Sequence, residues 1–396
     1  MSETVRISPE TRATLERLIA FDTTSRNSNL ELIHDVRDYL ATHGVGCHLT
    51  HDDEGRKANL YATLGPTDRS GIALSGHTDV VPVDGQDWSG DPWTAVEKNG
   101  RLYGRGSCDM KGFIAVALAF VPRFLARGLE TPIHLCLSYD EEVGCVGVHG
   151  LLDFLARQPV KPAACIIGEP TEMKVITAHK GKFSMRCRVR GLEAHSSLAP
   201  RGVNAIDAAA RVIARLSEMA GRKAAEGPFD EAYDIPHTTV HTGLIQGGTQ
   251  LNIVPGACAF EFEFRNLPAD DPGALLAEVQ AYAHGEVEPA MKAIDPETGF
   301  AWEPMACFPG LETPPDAEVV SLAKALSGGN VTGKVAFGTE AGLFHESGIP
   351  SVVCGPGSIE QAHKPDEYVS LEQLALCERF MDRLLDRVAA PSWPVR

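Results

Sequence analysis

Apolar positions recur along the chain with two different periods. After Ser8-Pro9-Glu10, Leu15, Leu18 and Ile19 fall on one helical face. Ser8 as a cap and Pro9 at the first helical position mark where that helix begins. A second helix is predicted over 29–43, ending at Gly44. Short apolar runs at 59–64, 72–75, 133–138 and 164–167 read as buried strands, and 111–126 reads as a helix between them. Strands that alternate with helices predict an α/β domain whose sheet is mainly parallel and flanked by helices.

The middle of the chain has a different rhythm. Residues 182–190 alternate in part, as a strand with one exposed face does, and Phe260-Glu261-Phe262-Glu263-Phe264 alternates strictly. Helices are predicted at 203–219 and 272–284, strands at 182–190, 238–245 and 257–265, and a last strand at 286–294. That order, β-α-β-β-α-β, is the ferredoxin-like α+β pattern. It predicts a small domain at 181–295, inserted into a catalytic domain made of 1–180 and 296–396. A helix at 316–326, a strand at 351–354 and a helix at 371–388 resume the α/β pattern.

Length and charge narrow the function classes. With 396 residues, two or three domains are expected. Lys plus Arg number 36 against 53 Asp plus Glu, a net charge of −17, so no nucleic-acid partner is expected. The longest apolar run, 113–121, is too short to cross a membrane, which takes about 20 residues. No membrane partner is expected, and with no apolar stretch behind Met1–Arg6 the expected location is the cytoplasm. The ten cysteines form no C-x-x-C pair and read as reduced, buried thiols.

Candidate chemistry gathers at the ends of predicted strands. Ser75-Gly76-His77-Thr78-Asp79, Cys108-Asp109-Met110-Lys111-Gly112, Asp140-Glu141-Glu142 and Gly168-Glu169-Pro170 lie there, and Gln361-Ala362-His363-Lys364-Pro365 lies in a late loop. Ligand sites of α/β sheets collect outside the carboxyl ends of strands, so His77, Asp109, Glu142, Glu169 and His363 can converge. Two imidazoles and three carboxylates suit a pair of zinc-like ions, with one carboxylate bridging them. In the adjacent pair Glu141-Glu142, one side chain can hold metal while the other acts as general base. Singly, each has a plainer reading: a solvated Glu pair, a helix-capping Asp109, a structural His. The glycine fingerprint of a dinucleotide site is missing, as are G-x-x-x-x-G-K-[ST], H-E-x-x-H and G-x-S-x-G.

Taken together, GHTDVVP, GRGSCDMKG, DEE, GEP and AHKPDE resemble the co-catalytic metallopeptidase and amidohydrolase family, over nearly the whole chain. The resemblance implies that His77, Asp109 and Glu169 hold one divalent ion and Asp109, Glu142 and His363 a second. Zn²⁺ is expected in both places, with Co²⁺ the alternative. Glu141 is implied as the general base, Asp79 as the carboxylate that orients His77, and Asp109–Met110 as a cis peptide. The inserted domain is implied to be a lid that forms a homodimer, with His195 of Gly191-Leu192-Glu193-Ala194-His195 stabilising the oxyanion. Asn252 and Arg265 are implied to contact the substrate carboxylate. Residues 21–32, Gly338-Thr339-Glu340-Ala341-Gly342 and the run 354–363 resemble the branch that removes acetate from N2-acetyl-L-ornithine, and Glu340 is expected near the substrate ammonium. Sibling N-acyl-amino-acid hydrolases, the desuccinylases and aminoacylases, are the alternative. A non-catalytic metal-binding protein is the rival of another class, and the intact Glu141 argues against it.

Overall fold

The structure, a computed structural model, describes residues 6–390. Residues 1–5, on which the expectation about a leader partly rests, lie outside them. The chain forms two compact units. The first comprises the chain up to Ala178, Leu311–Lys334 and Thr339 onward; the second comprises His179–Gly310 and Val335–Gly338. No helix of the described residues is long and apolar enough to cross a membrane.

The first unit is built on a nine-stranded sheet. Its centre is four parallel strands, in the order Ile133–Ser138, Ile72–His77, Ala164–Pro170 and Ser351–Gly355. Ala58–Leu64 and Cys47–His51 extend one side in antiparallel sense, and Val175–His179 pairs antiparallel on the other. The central strands are buried along their whole length, as strands covered on both faces must be. Helix Lys111–Ala119 is buried on every side, which its run FIAVALA, apolar all round, requires. Each Leu, Ile or Phe fully buried in this core is worth roughly 1.5–3 kcal/mol. The helix predicted through residue 126 is broken: Lys111–Ala119 and Val121–Arg127 are separate, with Pro122 in the first turn of the second. Proline lacks the N–H that would continue the first helix. Pro9–Ile19 begins as read, the Ser8 hydroxyl accepting the Thr11 N–H at 3.1 Å.

The second unit carries a four-stranded antiparallel sheet, in the order Thr239–Gly247, Ala257–Asn266, Gly181–Arg190, Gly299–Phe308. Phe260, Phe262 and Phe264 share one face with Met185, Cys187 and Val189, in a core covered by helix Ala205–Glu226. The other face carries a ladder of charges, with Arg186 on Glu261 and Arg188 on Glu303, each at 2.6 Å. The strand expected at 286–294 is not there: those residues form a π-turn, Ala283–Val287, and the helix Glu288–Lys292, with Pro289 in its first turn. The fourth strand is Gly299–Phe308, so the unit runs on to Gly310, past the expected boundary at 295.

Candidate metal centre

Parallel strands deliver the site. His77 is the last residue of its strand and lies level with Ser138, the last residue of the next. Asp140, Glu141 and Glu142 follow Ser138 directly. On the other side, Ser75 pairs with Ile167, which brings Glu169 level with His77 at the same carboxyl edge. Asp109 enters from the loop ahead of helix Lys111–Ala119, and the Asp109–Met110 peptide is cis. His363 comes from the loop after Ile359–Gln361, with a left-handed φ of 63°.

These side chains meet around Asp109. Its Oδ1 lies 3.1 Å from His77 Nε2 and its Oδ2 lies 3.3 Å from His363 Nε2. Glu169 Oε1 is 3.6 Å from His77 Nε2, and Glu142 Oε2 is 3.0 Å from His363 Nε2. His77, Glu141 and Glu169 each place a ligand atom within 4.8 Å of the others, as do His77, Asp109 and Glu142. All but Glu141, Glu142 and His363 are buried; the His363 side chain is 52% exposed. Glu142 bonds an imidazole, whereas among the described residues the Glu141 carboxylate is bonded only by the Cys145 thiol, 3.5 Å from Oε1. That difference separates the two neighbouring glutamates.

Asp79 stands beside His77, as its sequence position implies, and also holds the turn that follows the neighbouring strand. His77 Nδ1 donates to the Asp79 backbone carbonyl at 2.9 Å, while the Asp79 carboxylate stands 3.5 Å away. The carboxylate accepts the backbone N–H of Glu141 at 3.1 Å, that of Glu142 at 3.3 Å and the Ser25 hydroxyl at 2.7 Å. Lys57 steadies the same turn, 2.6 Å from both carboxylate oxygens of Asp140, whose φ is +55°.

The donor set fits divalent ions. Burial first, then neighbouring carboxylates, drive Glu141 and Glu169 well above the usual carboxylate range, and Glu142 up to about 7. Glu142 Oε1 is buried without a hydrogen-bond partner among the described residues. Cations between these oxygens relieve both the repulsion and the missing contact, and imidazole with carboxylate is a zinc-type donor set.

The other candidates divide. His195 and Asn252 come together in the second unit, where Ser196 N–H donates to the Asn252 carbonyl at 3.0 Å. His195 Nδ1 accepts the Ser197 N–H at 3.2 Å, so the neutral ring carries its proton on Nε2. Arg265 stands on strand Ala257–Asn266 with its Nε donating to Glu263 at 3.0 Å. Glu340 is buried in the first unit, at the start of helix Ala341–Glu346; burial pushes its carboxyl up to about 7 against the Ser138 hydroxyl, and its Oε1 is buried without a hydrogen-bond partner among the described residues. Two further residues escaped the sequence reading. Glu367 and Arg105 form a buried ion pair at 2.7 Å against the loop that carries Asp109. The only signal was their place inside AHKPDE and GRGSCDMKG.

Known proteins agree with this architecture. The profile of peptidase family M20/M25/M40 matches residues 73–387. The chain is 39% identical to an acetylornithine deacetylase of Myxococcus xanthus, over 97% of this chain and 98% of that protein. It is 35% identical to an acetylornithine deacetylase of Proteus mirabilis, covering 93% of this chain and 92% of the other. In fold it is similar to the M20 family metallo-carboxypeptidase Sso-CP2 from Sulfolobus solfataricus, with TM-score 0.74, 18% identity and coverage of 96% and 99%. Aminopeptidase PepT from Bacillus cereus superimposes with TM-score 0.72 at 22% identity, covering 96% and 98%. The chain therefore belongs to peptidase family M20/M25/M40 and is a metal-dependent hydrolase.

Proposed function

We propose that this enzyme hydrolyses the acetyl amide of N2-acetyl-L-ornithine to L-ornithine and acetate. The observation that carries the chemistry is Asp109, with one oxygen beside His77 and the other beside His363. It supports two ion positions that share Asp109: His77, Asp109 and Glu169 would hold one ion, and Asp109, Glu142 and His363 the other. Zn²⁺ is the ion the donors suit, with Co²⁺ also accepted. When bound, the two ions supply Lewis-acid charge for the amide carbonyl and lower the pKa of a water.

Glu141 moves the proton. It takes one from the attacking water and delivers it to the leaving α-amine, so the C–N bond breaks without expelling an amide anion. The Nε2–H of His195 donates to the oxyanion that develops as the carbonyl becomes tetrahedral. Arg265 and Asn252 receive the α-carboxylate, for which a guanidinium fork is the fitting partner. Glu340 supplies the charge opposite the side-chain ammonium, since a buried carboxylate oxygen without a partner is stabilised by a cation. The substrate itself is supported by the names of the relatives at 35–39% identity. We place the reaction in the cytoplasm, in a homodimer formed through the second unit. Its edge strand Thr239–Gly247 exposes Leu244 and Ile245, and Leu251 follows in the open.

Metal-stripped protein assayed on N-acetyl-L-ornithine and on N-succinyl-diaminopimelate, before and after Zn²⁺ or Co²⁺, tests this reading. The expected result is metal-dependent ornithine release with kcat/KM at least about 100-fold higher than for the succinyl substrate, about 2.7 kcal/mol. A reversed preference overturns the substrate, and no turnover on either overturns the reaction.

A further inference from the structure

The ion pair of Arg105 and Glu367 is unusual in its burial: each residue is 1% exposed. Charges so buried are tolerated only when their hydrogen-bonding capacity is met. Glu367 meets it with the backbone of one loop. Its Oε1 accepts the N–H groups of Cys108 at 2.9 Å and Asp109 at 3.0 Å. Its Oε2 accepts the Gly106 N–H at 3.0 Å and Arg105 Nη1 at 2.7 Å. Converging backbone N–H groups make a nest for an anion, and here the anion is a side chain four residues beyond His363.

Arg105 completes the connection from the opposite side through its two Nη atoms, while its Nε has no hydrogen-bond partner among the described residues. Its Nη1 also reaches the Lys364 carbonyl at 3.4 Å, and its Nη2 donates to Gln86 Oε1 at 2.5 Å. Gln86 Nε2 in turn donates to the His363 carbonyl at 2.9 Å. The Arg105 guanidinium lies over the Trp88 ring, 5.0 Å from its centroid. One buried pair thus holds the backbone of Asp109 and, through Lys364 and Gln86, the backbone on both sides of the His363 carbonyl. The two loops are more than 250 residues apart in sequence, and neither glycine-rich 104–106 nor left-handed His363 would keep this shape alone.

We infer that Glu367, paired with Arg105, is a positioning residue for the metal centre, fixing Asp109 and His363 relative to each other; this rests on the ion assignment proposed above. In that assignment the pair supports one of three ligands at the first position, Asp109, but two of three at the second, Asp109 and His363. Its loss therefore weakens the second ion selectively. A pair that only stabilised the fold would leave the two ions alike.

The test is metal titration of chelator-stripped full-length protein with Co²⁺, followed by calorimetry and by the visible absorption of the bound ion. Wild type, Glu367→Gln and His363→Ala are compared, with circular dichroism to check the fold. Glu367→Gln is expected to weaken one binding step about 10–100-fold, the step that His363→Ala also weakens, with the other step within about 3-fold of wild type. Both steps unchanged, or both weakened equally, overturns the inference. Should Glu367→Gln not fold, Arg105→Lys, which keeps the charge but cannot make both contacts of the fork, is read on the same scale. A chain that folds with neither change makes the pair a fold element and also overturns it. A wild-type chain that binds no second ion overturns the ion assignment and this inference together. A variant that binds both ions as wild type does overturns this inference alone.

Discussion

The carboxylate of Asp79 accepts the backbone N–H of Glu141 at 3.1 Å, so a residue two places past the His77 strand holds the turn that presents the proposed general base. The same carboxylate takes the N–H of Glu142, and Ser25 holds its second oxygen. Asp79 thus serves two neighbours: its carboxylate holds the Glu141-Glu142 turn and stands 3.5 Å from His77 Nδ1, which donates to the Asp79 carbonyl. Removing one acceptor leaves a backbone N–H facing an amide NH₂ and lets the turn relax.

Asp79→Asn is accordingly expected to lower kcat about 10–100-fold while both ions stay bound, because catalytic groups misplaced by a fraction of an ångström lose much of their effect. Glu141→Gln, which keeps the turn but removes the base, is expected to lose more, about 10²–10⁴-fold, again with metal retained. Steady-state kinetics and metal content of the same samples check both. Metal lost in parallel with activity in Asp79→Asn would assign the carboxylate to His77 instead.

Where the sequence was legible, the reason is local. Ser8-Pro9 announces a helix, continuous apolar runs announce covered strands, and the gathering of His77 and Glu169 at one strand edge follows from the sheet's polarity. What was not legible depends on partners far away. Gly299–Phe308 contains Pro304, which reads as a loop; it is an edge strand, where a missing N–H is tolerated. The partners of the Glu367 carboxylate are backbone groups some 260 residues earlier, which no spacing reveals. The job of Asp79 was half legible: its nearness to His77 is local, but its contact with Glu141 exists only once two strands lie side by side.

Gly168 links packing to the site. A Cβ there would lie 2.0 Å from Cγ and 2.1 Å from Cδ1 of Phe113, in the buried helix that follows the Asp109 loop. Gly168→Ala must push that ring aside, at a cost of about 1–3 kcal/mol for overpacking. Glu169 is the next residue, so metal affinity is expected to fall with stability. Adding Phe113→Leu vacates the space and is expected to restore part of both, measured as Tm and ion affinity. A Gly168→Ala chain as stable as wild type would show that the helix and strand can separate without cost.

His134 gives a pH dependence independent of the metal ligands. It is buried at the start of strand Ile133–Ser138, with the Tyr61 hydroxyl 2.8 Å and the Thr63 hydroxyl 3.0 Å from Nδ1, and Nε2 buried without a partner among the described residues. Burial lowers its pKa to about 4. Its unfolded value is about 6.5, so the unfolded chain takes up a proton that the folded chain refuses. Its contribution is therefore complete above pH 6.5 and is lost as pH falls toward 4, by about 2–3 kcal/mol at pH 4.5. In His134→Asn an amide oxygen can still accept from Tyr61 and Thr63, but nothing there titrates. Unfolding of chelator-treated wild type and variant at pH 7 and pH 4.5 keeps metal release out of the comparison. The variant is expected to lose less stability between the two pH values, by about that amount; equal losses would mean that His134 takes up its proton inside the folded chain.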